Sequence, residues 1–303
     1  MSNIPKVDLP EIDVSQQNMV ENWPKVVHQI NEAFTTTGFL AITGHRITEE
    51  YMRRADRVVE RLFALPKDQL TRYAHPEISF QRGYAPFGAE HAKDNPTGDL
   101  KYFWMTRDPE EPDDPAHNPF GGNIWPEEVP EFKGVALFLL AESLRVGRIL
   151  LSALEIGHDV PKGTLVSQTK GAETMQRTIY YPPLDDFIGV GEESWRSAPH
   201  EDINLITVMP ASNASGLHLK LRGEWVEPVA PRNRLIADTG EMIRIFKGFE
   251  GLTPTTHRVM NPEGEAARTS RISYPVFIHG VHTPEYREHF FKRIAEITGQ
   301  PVI

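Results

Sequence analysis

The 303-residue sequence contains no cysteine. That excludes disulfide cross-links, thiolate zinc sites, iron–sulfur clusters and cysteine nucleophiles. It has no apolar run that reaches across a bilayer. The longest, Val135 to Ala141, has seven residues, whereas a spanning helix needs about 20. The opening Met-Ser-Asn-Ile-Pro-Lys-Val-Asp carries no apolar signal core, so a cytoplasmic protein is expected. Positive charge is also scarce. Lys and Arg number 32 against 42 Asp and Glu, a net charge of −10, so nucleic-acid binding has no electrostatic support. There is no internal repeat and no low-complexity tail. The oligomeric state is left open.

What is present is ordinary globular composition, 39% hydrophobic and 24% charged, in a chain long enough to need no covalent staples. Twenty-five prolines and 22 glycines imply many turns and short strands. Residues 6–14 read as an extended opening segment. The spacing of Val27, Ile30 and Phe34 predicts a helix from Pro24 to Phe34, stopped by Gly38. Phe39 to Ile42 reads as a short buried strand. A second helix is predicted after Thr48, with Met52, Ala55, Val59 and Leu62 on one face, ending before Pro66. Six prolines between residues 106 and 132, with Asp108, Glu110, Glu111, Asp113 and Asp114 in the first part, predict a solvated connector. A long helix follows, Val135 to Ile156, closed by Gly157. Beyond residue 170 short apolar segments alternate with turn residues: 175–181, 203–209, 217–221, 234–237, 242–246, 256–260 and 270–278. Seven such strands predict a sandwich or barrel. Pro284 to Ile297 returns to helical character. The expected architecture is mainly β with flanking helices.

Three features in the β region carry chemistry. His200-Glu201-Asp202 precedes the apolar run from Ile203. On a strand, residues i and i+2 share a face, so His200 and Asp202 project together and Glu201 points away. His75-Pro76-Glu77 has the same pattern but reads as a surface turn. His257 lies 55 residues after Asp202 on another predicted strand. Two ligands close in sequence and one distant are what a closed β core brings together. Two imidazoles and one carboxylate leave three coordination positions open, which suits non-haem Fe(II) and oxygen chemistry. Arg271-Ile272-Ser273 leads into an apolar strand. An Arg fork with a nearby hydroxyl holds one carboxylate, bidentate and charge-assisted. Arg268-Thr269-Ser270 has the same spacing but sits beside a polar loop, which makes Arg268 the fallback.

Over nearly its whole length the sequence resembles the isopenicillin N synthase-like family of Fe(II)/2-oxoglutarate-dependent oxygenases. The resemblance rests on an ordered set of residues: Val7-Asp8-Leu9-Pro10-Glu11-Ile12-Asp13, Gly38-Phe39-Leu40 with Gly44-His45, Arg82-Gly83-Tyr84, Tyr180-Tyr181-Pro182-Pro183, then the His200/Asp202, His257 and Arg271/Ser273 positions. Two departures stand out. Ile179 replaces the Asn that many members carry before the Tyr pair, and the 14-residue interval from His257 to Arg271 implies a longer hairpin loop.

The resemblance implies one oxygenase unit over 1–303, with an N-terminal helical region over 1–115 and a double-stranded β-helix (jelly-roll) core over 170–283. It implies Fe(II) held by His200, Asp202 and His257. 2-Oxoglutarate would lie on Arg271 and Ser273, with Tyr181 as a further donor. The implied activity consumes O2, releases succinate and CO2, and oxidises, by hydroxylation, an unactivated C–H of a small metabolite. Candidate walls for the substrate are Arg82, Tyr84, Tyr102, Trp104, Phe246 and Phe277, with a surface ion pair as the reading for Arg244. Three rivals are kept. One is an isopenicillin N synthase-like oxidase that works without 2-oxoglutarate, with Gln300 resembling that enzyme's extra iron-side glutamine. The others are a zinc hydrolase on the same ligands and a non-enzymatic jelly-roll binder.

Overall fold

The computed structural model describes residues 4–89, 99–109, 120–187, 194–280 and 283–298. The first half contains β1 (Lys6–Asp8), β2 (Glu11–Asp13), α1 (Gln16–Thr36), β3 (Phe39–Thr43), α2 (Glu49–Phe63), α3 (Lys67–Thr71), β4 (Gly83–Ala85), β5 (Tyr102–Arg107) and α4 (Glu131–Gly157). Then come β6 (Met175–Tyr181), β7 (Ser197–His200), β8 (Ile206–Pro210), β9 (Leu217–Leu221), β10 (Glu224–Val229), β11 (Leu235–Thr239), β12 (His257–Val259), β13 (Arg271–Ser273), β14 (Val276–Ile278) and α5 (Pro284–Thr298). Among the described residues no helix is long and apolar enough to cross a membrane.

The strands form two sheets. The larger runs β2-β3-β11-β8-β14-β6-β5-β4, with β13 also on β6, and the smaller runs β1-β10-β9-β12-β7. Together they make the jelly-roll core. β3 shows how the sheets are filled. Its side chains alternate: Leu40 and Ile42 join the core shared with α1, α2 and α4, while Phe39 and Ala41 join Leu217, Leu219, Met209 and Ile236. A strand buried on both faces reads as a continuous apolar run, which is why Phe-Leu-Ala-Ile was legible. α4 lies against β8, β14 and β6. Gly147 permits that closeness, since a Cβ there would lie 2.1 Å from Ile278 Cδ1.

Several boundaries differ from the sequence reading. α1 begins at Gln16, capped by Ser15, and breaks its helical geometry at Asn22 just before Pro24. The early turn was hidden because Val20 is exposed and adds nothing to the apolar face. Segment 242–246 is not a strand. It is a 3-10 turn, Glu241–Ile245, drawn round by bonds from Glu241 N to Asp202 O and from Met242 N to Asn204 O. Segment 270–278 is two strands, because Pro275 has no N–H for the ladder. β10 was missed; it is half-exposed and shows no alternation.

Candidate metal centre and cosubstrate pocket

β7 and β12 pair antiparallel with His200 directly opposite His257. The two rings sit 4.4 Å apart between centroids. Asp202 lies two residues beyond the end of β7 rather than on it, yet its Oδ1 is 3.7 Å from Nε2 of both histidines. The three ligand atoms lie within 4.8 Å of one another. Separations of 3.7 Å are too long for hydrogen bonds and leave space between the groups for an ion bound at about 2.0–2.2 Å from each ligand.

Neighbouring groups hold each ligand in place. His200 Nδ1 faces the Ala198 carbonyl at 2.7 Å and His257 Nδ1 faces the Thr255 carbonyl at 3.2 Å. A carbonyl only accepts, so each Nδ1 carries the proton and each Nε2 lone pair is turned toward Asp202. Ala198 N donates to Asp99 Oδ1 at 3.1 Å, and Lys101 Nζ meets the other Asp99 oxygen at 2.7 Å. Asp202 Oδ2 accepts from the Thr207 hydroxyl, which accepts from Asn204 Nδ2 at 2.8 Å. Burial, then the neighbouring His257, pulls the His200 pKa down to about 4, which keeps its lone pair available. Gly38 contributes from the other side. At φ +68° it ends α1 and leaves room for Thr255, whose hydroxyl is 2.0 Å from where a Cβ would be. Glu201 stays outside the cluster and accepts from Thr256 Oγ1 at 3.1 Å.

In the larger sheet, β13 pairs with β6 so that Arg271 is opposite Tyr181 and Ser273 opposite Ile179. All four are buried. The Arg271 guanidinium stacks 5.2 Å from the Tyr181 ring centroid, and its Nε and Nη1 have no partner among the described residues. Burial lowers its pKa. A buried cation with two idle N–H groups is the complement of a carboxylate, so the residues present fit a 2-oxo dicarboxylate as well as an iron ion. Arg268 is exposed and pairs with Glu265 at 3.7 Å. His75 and Glu77 form a local surface pair at 2.7 Å.

A cavity of about 490 Å³ opens at His200 and Asp202, lined also by Met175, Arg177, Phe277 and one side of α5 through Phe290 and Ile294. Of the expected substrate walls, Phe277 is there. Arg82 is not: it is fully buried on Glu173. Trp104 is core, its indole donating to Ile124 O at 3.1 Å. Tyr84 stacks with Tyr102 at 6.3 Å, away from the cavity lining. Phe246 closes the 3-10 turn and Arg244 is exposed on it. The α5 lining was not foreseen, since a C-terminal amphipathic helix carries no sign of what it covers. Gln300 and residues 110–119 of the acidic connector lie outside the described residues.

Residues 5–128 match the family described as non-haem dioxygenase in morphine synthesis N-terminal, and residues 172–280 match the 2OG-Fe(II) oxygenase superfamily. The chain belongs to the 2-oxoglutarate/Fe(II) oxygenases. The 2-oxoglutarate-dependent dioxygenase caaD of Aspergillus niger is 25% identical over 91% of this chain and 86% of its own. The 2-oxoglutarate-dependent dioxygenase traH of Penicillium crustosum is 26% identical over 91% and 84%. A solved 2OG-Fe(II) oxygenase family protein from Caulobacter crescentus superposes with a TM-score of 0.76 at 26% identity, covering 90% of this chain and 87% of that one. A full-length Neurospora crassa protein, solved in complex with alpha-KG, has the same fold at 19% identity, a TM-score of 0.75 and coverage of 91% and 86%. This oxygenase is therefore an oxidoreductase that uses Fe(II), 2-oxoglutarate and O2. The oxidase alternative is not favoured by these relatives.

Proposed function

We propose that His200, Asp202 and His257 hold the Fe(II) and that Arg271, Ser273 and Tyr181 hold 2-oxoglutarate, for hydroxylation of a small molecule seated in the adjoining cavity. The observation that carries this reading is a His/Asp/His cluster in a chain that also holds, on β13, a buried guanidinium with two idle N–H groups. When bound, Fe(II) supplies the O2-dependent chemistry that turns 2-oxoglutarate into succinate and CO2 and oxidises a C–H bond. The chain supplies placement. Arg271 grips the far carboxylate, Ser273 and Tyr181 flank it, and the cluster faces the cavity where Phe277, Met175 and Phe290 form apolar wall. That wall excludes water and fixes which C–H is presented. A cavity of about 490 Å³ accommodates a metabolite-sized ligand.

The test is a metabolite screen under air with added Fe(II), reading succinate. Succinate release that depends on one added compound, and that is lost in His257→Ala while the fold is retained, supports the reading. Full activity in His257→Ala would sink it.

A further inference from the structure

Arg196 is 2% exposed and immediately precedes β7. Its Nη2 donates to the carbonyls of Pro182 (3.2 Å) and Thr269 (3.0 Å), while its Nε is buried with no partner among the described residues. Its backbone N–H donates to Asn261 Oδ1 at 2.8 Å, and Asn261 Nδ2 donates to Ser194 O at 2.6 Å. These bonds join four segments. Pro182 follows Tyr181 at the end of β6, and Thr269 stands two residues before Arg271. Asn261 follows β12, which begins at His257, and Arg196 itself leads into the strand that ends at His200.

Such a tie needs no charge; a neutral amide would serve. Yet Arg196 brings a buried cation that pairs with no carboxylate among the described residues, close enough to Arg271 to feel its charge. Burial first, then Arg271, pulls its pKa down to about 10. Two buried guanidiniums without an acid are costly until an anion joins them.

We propose that Arg196 is a positioning residue for the cosubstrate: it fixes the separation between Arg271 and the two histidines, and so selects the length of 2-oxo dicarboxylate that spans them. This rests on the site reading above. The 2-oxo acid end must meet the His200/Asp202/His257 cluster while the far carboxylate meets Arg271. The backbone between those points is what Arg196 and Asn261 stitch together. Its charge also strengthens the hold on a dianion without contact.

The test is anaerobic equilibrium binding, by calorimetry, to the Fe(II)-loaded full chain. The probes are 2-oxoglutarate and its four- and six-carbon homologues, oxaloacetate and 2-oxoadipate. Wild type should prefer 2-oxoglutarate. Arg196→Met, with unchanged circular dichroism and Fe(II) affinity, should bind 2-oxoglutarate about tenfold more weakly, because a buried cation attracts the dianion even without touching it, and lose its preference over the homologues. Arg196→Lys should regain part of the affinity but not the preference, because an ammonium lacks the fixed fork. A folded Arg196→Met that keeps wild-type preference, whether or not affinity falls uniformly, overturns the inference. If that variant does not fold, unchanged preference in Arg196→Lys overturns it instead. Wild-type protein that fails to bind 2-oxoglutarate at all sinks the functional reading, and this one with it.

Discussion

Arg268 and Arg271 stand three residues apart with the same downstream hydroxyl spacing, and burial separates their work. Arg271 is enclosed with idle N–H groups, whereas Arg268 is a solvated partner of Glu265. Arg271→Leu should therefore raise the 2-oxoglutarate KM about tenfold to a hundredfold, the equivalent of about 1.5–3 kcal/mol for a charge-assisted bond. Arg268→Leu should leave it unchanged. Steady-state titration of the cosubstrate checks both, and the reverse ranking would refute the assignment. A second expectation concerns Thr207, whose hydroxyl steadies the Asp202 carboxylate. Thr207→Val should lower Fe(II) affinity about 10- to 100-fold, the usual cost of losing a group that orients a metal ligand. A competitive chelator titration measures this. Arg271 and Ser273 were legible in the sequence because their i, i+2 spacing lies on a strand, β13, whereas His200 and Asp202 meet His257 although Asp202 lies past the end of β7. Thr207, Asp99 and Arg196 were not, because a side chain that steadies another residue leaves no spacing to read.

Among the elements, the connection after β11 leaves no room for a side chain at Gly240. Gly240 runs so close to the loop behind Asp202 that a Cβ would fall 2.2 Å from the Asn204 carbonyl oxygen. Gly240→Ala should displace that loop and weaken Fe(II) binding, while Gly251→Ala, with open space around it, should not. Fe(II) binding isotherms for the pair provide the comparison, and equal affinities would show that the loop gives way harmlessly. This connection also marks where sequence reading failed. Apolar residues 242–246 imitate a strand, but tertiary bonds to Asp202 and Asn204 wind them into a turn. β6, β9, α2 and α5 were legible because periodicity and helix-stopping residues agreed there. β4 and β5 were not, since Tyr102 to Trp104 reads equally as pocket wall or as strand.

For the whole molecule, two ligands that bind the folded state alone should raise its stability. At a hundred times the dissociation constant the gain is about 2.7 kcal/mol, and a chain of this size should show it as a Tm increase of several degrees. Anaerobic thermal unfolding with Fe(II) and 2-oxoglutarate together, reversed by chelator, measures it; an unmoved Tm would contradict a native-state site. The two short opening strands bear on the molecule as a whole in another way. β1 lies in parallel on β10 of the smaller sheet, Lys6 opposite Glu227, while β2 lies on β3 of the larger. β1 and β2 thus clasp both walls of the barrel, and β1 finds its mate only after more than two hundred further residues have been made. A nascent or trimmed polypeptide lacking either partner presents raw sheet margins to its neighbours, where copies can stick to one another. Any shortened form of this enzyme should therefore keep residues 6–13.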